Sequence, residues 1–135
     1  MLQENRTEAI TLPTPLADMR FDQIEFAAID FESSGFGPEG KDEPIQIGIS
    51  IMRGGEIQPA EGLRSFIQPT EPRPISDAVY AVHRIGEDQL HGAPALIELW
   101  PDIRSRLQGR VVVAHGAGTE KRFLWAFPMH GFKPW

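Results

Sequence analysis

The sequence predicts an α/β domain in the order β-β-β-α-β-α. Three observations carry that expectation. Strand-like stretches follow one another between residues 24 and 69, helix-like stretches fill residues 76 to 109, and a fourth strand-like run precedes a final helical segment. With 135 residues the chain can build one hydrophobic core and is too short for two.

"IEFAAIDFE" (24–32) is rich in β-formers and apolar except at its end, which predicts a central strand buried on both faces. In "PIQIGISIMR" (44–53), Ile45, Ile47, Ile49 and Ile51 alternate with Gln46, Gly48, Ser50 and Met52, the period of a second strand. "GGE" (54–56) opens a turn, and "GLRSFIQP" (62–69) reads as a third strand stopped by Pro69. Short connections make these three strands an antiparallel meander.

The period then changes. "ISDAVYAVHRIGEDQLHGAP" predicts two short helices, the first capped by Ser76 and the second set off by Gly86. Residues 93–109 form an amphipathic helix with Leu96, Leu99, Trp100, Ile103 and Leu107 on one face, Gly109 as its stop and a kink expected at Pro101. "RVVVAH" (110–115) is the fourth strand, and "GTEKRFLWAF" (118–127) is a helix capped by Thr119. Residues 1–23, polar and containing Pro13 and Pro15, read as a loosely packed leader, so the domain is expected over residues 24–135.

The apolar fraction of 41% and charged fraction of 24% are ordinary for a soluble globular chain. No apolar run approaches the roughly 18 residues that span a bilayer, and the start lacks the features of a secretory signal. The expectation is a cytoplasmic protein without a membrane partner. Lack of cysteine leaves only oxygen and imidazole ligands for a metal, which favours hard divalent cations. A net charge of -6 argues against broad wrapping of duplex nucleic acid, but allows a grip on a few nucleotides at a strand end.

Gly35, Gly37 and Gly40 spell G-x-G-x-x-G after a strand, the spacing of a dinucleotide fingerprint. That fingerprint needs a helix after the glycines to hold a pyrophosphate. Here an alternating strand pattern follows, and Pro38 removes an amide donor, so the glycines are expected to form a loop. Asp30 and Glu32 are the stronger signal. Residues two apart on a strand share a face, and two adjacent carboxylates repel unless a cation or a proton intervenes. A magnesium-type ion resolves the repulsion, although acidic pairs at strand ends are also commonly just solvated.

"AIDFESSG" resembles the first motif, Asp-x-Glu-Thr-Thr-Gly, of the DnaQ-like (DEDD) 3′-to-5′ exonucleases, a family that includes the proofreading subunit of bacterial DNA polymerase III. "EPIQIGISIMRGGEI" resembles the family's second strand, "FIQPTEPRPISDAVYAVHRIGEDQL" its Pro/Ile/Ala/His-Gly-Ile-Thr segment, and "VVVAHGAGTEKRFL" its second motif. The resemblance spans about residues 24–127 and implies a ribonuclease H-like mixed sheet with strand order 3-2-1-4-5, of which the fifth strand is missing here.

The resemblance further implies two divalent metals, Mg²⁺ or Mn²⁺, acting on the 3′ end of single-stranded DNA or RNA. Asp30 bridges both metals in this reading, Glu32 binds one, and Glu120 stands where the second motif has its aspartate. Glu120 is one methylene longer, and an acid in the first turn of a helix has a purely structural alternative. Ser33, Ser34 and Gly35 occupy the Thr-Thr-Gly positions that contact the terminal nucleotide, with ordinary turn chemistry as the alternative. His83 precedes Arg84 where the family has glycine, and has a structural role or a substrate contact; His115 opens the second motif and stands as a substrate-side residue.

The third motif, His-x-Ala-x-x-Asp, has no match. His130 is the only histidine after Glu120, and "HGFKPW" carries neither the alanine nor the aspartate. The expected function is therefore a 3′-to-5′ exonuclease domain in truncated or catalytically incomplete form. The alternative is a non-catalytic module on the same fold that binds nucleic acid or protein. The uncovered edge of the fourth strand adds a homodimer or a polymerase as expected partners.

Overall fold

The computed structural model describes residues 18–35, 42–71 and 74–125. Its sheet is built on β1 (Phe26–Ser33) and β2 (Pro44–Arg53), antiparallel from Phe26 opposite Met52 to Glu32 opposite Gln46. The edge of β2 away from β1 pairs with β3 (Glu56–Ile57) at one end and β4 (Leu63–Phe66) at the other, both antiparallel. On its other side β1 pairs in parallel with β5 (Val111–Val113), which gives the expected order of the four predicted strands. The two-residue β3 was not legible, because both its side chains are exposed and no alternation marks it. It exists because Gly54 and Gly55 both adopt positive φ and return the chain along β2.

Among the described residues four α-helices follow the meander: α1 (Asp77–His83), α2 (Glu87–Leu90), α3 (Leu96–Leu107) and α4 (Ala117–Trp125). Ser76 caps α1 as expected, its Oγ accepting the Val79 N–H at 3.3 Å. α3 runs through Pro101 as one span and ends before Gly109, which takes the positive φ the sequence pattern requires. α4 begins two residues before Thr119 of the predicted cap position. Thr119 lies inside the first turn with its N–H on the Gly116 carbonyl, since Gly116 at φ 67° turns the chain into the helix earlier. Among the described residues no helix is long and apolar enough to cross a membrane.

The core lies on one face of the sheet. Ala27, Ile29 and Phe31 of β1 and Ile47, Ile49 and Ile51 of β2 pack under Leu99, Ile103 and Leu107 of α3 and Phe123 and Leu124 of α4. Each large apolar side chain so buried contributes about 1.5–3 kcal/mol before entropy is counted. A smaller cluster of Ile45, Ile85 and Leu90 seats α1 and α2 at the side. The expectation that β1 is buried on both faces needs correction: Ala28 and Asp30 are exposed, because among the described residues no helix covers their face.

Two local contacts hold the C-terminal end of β1 in place. Gly35 has φ 80°, and a Cβ there would lie 2.3 Å from Val79 Cγ2, so only glycine lets the loop after β1 pass α1. Asp42, with a side chain only 3% exposed, receives both guanidinium arms of Arg122, one of them at 3.0 Å, and so ties α4 to the start of β2. That pairing holds the Asp42 carboxyl below its ordinary range against the opposing effect of burial, with a further contribution from the Ser33 hydroxyl.

Gly35→Ala is expected to cost about 1–3 kcal/mol in chemical denaturation, from the positive φ and the contact with Val79. Adding Val79→Ala recovers the contact part alone, so the double-mutant cycle gives a nonzero coupling. For Asp42 the lowered carboxyl means that stability is fully present above the unfolded value near 3.8 and is lost as pH falls through the lower folded value. Asp42→Asn is therefore expected to lose about 1.5 kcal/mol at neutral pH, the low end for a charged hydrogen bond since Arg122 is half exposed. Its melting curves should approach those of wild type as pH falls below 3.8 through the lowered folded value; curves that stay parallel contradict the assignment.

Candidate active site

Hydrophobic alternation builds the site. Because Ile29 and Phe31 face the core, Asp30 between them and Glu32 after them are carried to the opposite, open face. They stand near the end of β1, where the pairing with β2 becomes irregular between Glu32 and Ser33. Such irregularities end a ladder and re-aim side chains, and they are common beside active sites. Among the described residues neither carboxylate makes an ion pair or a side-chain hydrogen bond. Both open onto a groove of about 600 Å³ whose walls include Gln46, Gly48, Arg64 and His115.

Glu120 belongs to the other layer, on α4. It shares one face of α4 with Phe123 and Leu124, at the i, i+3 and i+4 positions, and Phe123 meets Phe31 edge-on at 5.4 Å between centroids. Glu120 is only 3% exposed, so it is not a solvated first-turn acid. Its Oε2 is buried without a hydrogen-bond partner. A buried carboxylate oxygen left so costs about 1–3 kcal/mol unless a donor or cation reaches it. This is the feature of the donor set that fits a divalent ion. Against it, among the described residues no group of three or more His, Cys, Asp or Glu side chains stands at metal-binding spacing, so Glu120 is not gathered with Asp30 and Glu32.

The other sequence-predicted residues divide. His115 is exposed just after β5 and lines the groove. Ser33 and Ser34 are engaged in their own loop: Ser33 Oγ accepts the Gly35 N–H at 3.4 Å, and Ser34 Oγ accepts the Glu43 N–H at 3.0 Å. His83 is half-buried at the end of α1 and does not line the groove. Its Nδ1 accepts the Ile85 N–H at 3.0 Å, which leaves the proton on Nε2, a buried donor without a partner. Gly37 and Gly40 lie outside the described residues, and the chain after them enters β2, not a helix. Gln46, Ser50 and Arg64 were missed. Alternation in β2 places Gln46 and Ser50 opposite the isoleucines, but only strand register brings them to Asp30.

The geometry resembles known nucleases. The exonuclease family model RNase_T matches residues 27–124. A DNA polymerase III subunit epsilon-like protein of Rhodobacter capsulatus is 34% identical over 109 residues, covering 81% of this chain and 15% of that protein. A PolC-type DNA polymerase III of Thermotoga maritima is 31% identical over 107 residues, covering 79% of this chain and 8% of that protein. This chain thus matches only a small part of either relative. Among solved structures, the nuclease domain of 3′hExo, a DEDDh family member bound to rAMP, superposes with a TM-score of 0.60 at 18% identity, over 76% of this chain and 56% of that one. Escherichia coli exonuclease I in complex with a dT13 oligonucleotide gives 0.60 at 13% identity, over 75% of this chain and 22% of that one. The mixed sheet with flanking helices is thus the ribonuclease H-like arrangement of these enzymes, and the chain belongs to the exonuclease family.

Proposed function

We propose that this chain is a 3′-to-5′ exonuclease domain that hydrolyses the terminal phosphodiester of single-stranded DNA or RNA with the help of two divalent ions, Mg²⁺ or Mn²⁺. The observation that carries the reading is the unpaired Asp30 and Glu32 couple on one face of β1, open to a groove, in a chain of this family. Asp30 and Glu32 would hold the ions, and Glu120 would approach with its unpartnered Oε2. When bound, such ions generate the nucleophile at neutral pH and offset charge on the phosphoryl and leaving oxygens.

The chain's own residues do the rest. Ser33, Ser34 and Gly35 flank the carboxylates and bind the terminal nucleotide, the Ser34 hydroxyl still having its proton to donate. His115 stands on the β5 side of the groove, whereas His83, outside the groove with its Nε2 buried, keeps a structural role at the end of α1. No residue after Glu120 in this chain matches the family's third motif, and no general base is assigned.

A second reading keeps the fold as a binding module without catalysis. It is favoured by glutamate in place of aspartate at position 120 and by the lack of a three-ligand group among the described residues. Incubation of the protein, expressed with its whole natural reading frame, with a labelled oligonucleotide and Mg²⁺ or Mn²⁺ separates the two. Release of nucleoside monophosphates that falls by at least roughly 10²–10³-fold in Asp30→Ala supports catalysis. Oligonucleotide binding with no release under either ion supports the module and contradicts the enzyme.

Metal binding has its own readout. Mn²⁺ at about 100 times its Kd is expected to stabilise wild type by about 2.7 kcal/mol. Glu120→Gln should fold at least as well without metal, since it removes a buried charge, yet gain less from Mn²⁺. Equal gains in the two proteins would take Glu120 out of the site.

A further inference from the structure

Strand register sets one cation beside the acidic pair. Asp30 lies opposite Gly48 on β2, and Gly48 lies opposite Arg64 on β4, so the three residues form one cross-strand row on the open face of the sheet. Two strand spacings, about 9.6 Å, separate the ends of that row. Asp30, Gly48 and Arg64 all line the same groove.

Among the described residues Arg64 is exposed and unoccupied in a way the other arginines are not. Arg53 and Arg110 serve Glu25, Arg122 serves Asp42, Arg20 serves Asp22, and Arg106 holds backbone carbonyls next to β4. Arg84 lies over the Tyr80 ring. Among the described residues Arg64 has no ion pair, hydrogen bond or ring contact, in a chain of net charge -6 with acids in surplus.

Gly48 is the second, independent observation. It sits inside β2 without a positive φ, and a Cβ built there would meet nothing within 4 Å. Neither backbone conformation nor packing requires glycine, although glycine weakens a strand by roughly 0.5–1 kcal/mol against alanine. A glycine inside a strand often marks a place where a ligand approaches the backbone closely.

We infer that Gly48 and Arg64 form a track for the sugar-phosphate backbone of a single strand, with Arg64 gripping a phosphate upstream of the terminal bond at Asp30 and Glu32. The inference rests on the exonuclease reading and adds the path that the strand takes over the sheet. Guanidinium pairs two phosphate oxygens at once, which suits a contact that positions without reading sequence.

The test is equilibrium binding of labelled dT₈ and U₈ in Ca²⁺, with thymidine monophosphate as a short probe, across a salt series. Arg64→Ala should weaken octamer binding roughly 10-fold. It should also reduce the slope of log affinity against log salt by about 0.7, the value for one single-strand phosphate contact. Monophosphate binding should not change. Gly48→Ala should melt at or above the wild-type temperature and still bind the octamer more weakly, which a purely structural glycine would not do. Arg64→Gln serves as the charge test if the alanine variant fails to fold. Wild-type octamer binding that is unaltered in affinity and slope by the Arg64 variants overturns the track and leaves the exonuclease reading standing. Wild type that binds neither octamer overturns both.

Discussion

Side-chain alternation along β1 is the constraint on which the rest depends. Ala27, Ile29 and Phe31 must meet α3 and α4, and that requirement alone turns Asp30 and Glu32 to the opposite face. A slip of one residue would drive both carboxylates into the core, at several kcal/mol per desolvated charge. The register of the central strand is therefore fixed by its apolar residues, and the acidic pair is positioned without needing contacts of its own. Freed from internal partners, the two carboxylates remain available to a ligand.

The same economy separates structural from functional charge. At the start of β1, Glu25 is bound by Arg53 and lies 3.2 Å from Arg110 Nε, an ion pair without hydrogen-bond alignment. Its carboxyl is held below the usual range chiefly by the Arg53 hydrogen bond. At the end of β1 the structural pair is Asp42 with Arg122, two residues beyond Glu120 on α4. This pair fixes the helix that carries Glu120 while leaving Asp30 and Glu32 unneutralised. Arginines thus staple the periphery, and Arg64 is left facing the groove.

Local pattern made much of this visible in the sequence. The period-2 run of isoleucines in β2, the Ser76 cap and the Gly109 stop each act within a few residues, and each is where the structure has it. The paired acids were legible for the same reason. What depended on distant partners was not: β3 has no pattern of its own, the exposed face of β1 reflects the lack of a covering helix, and the Asp30–Gly48–Arg64 row exists only through two ladders. Glu120 illustrates both cases. Its place in the first turn of a helix was readable, but its burial with an unpartnered oxygen follows from how α4 lies on β1.

The proposed function makes the open end of β1 the metal-dependent centre. Paramagnetic broadening of backbone amide signals by substoichiometric Mn²⁺ tests it most directly, because it maps the ion without requiring turnover. Broadening is expected to centre on residues 30–33, to extend to Gln46 and Gly48 on β2 and to the first turn of α4, and to be abolished in Asp30→Ala. Broadening centred elsewhere, or unchanged by that substitution, would contradict it.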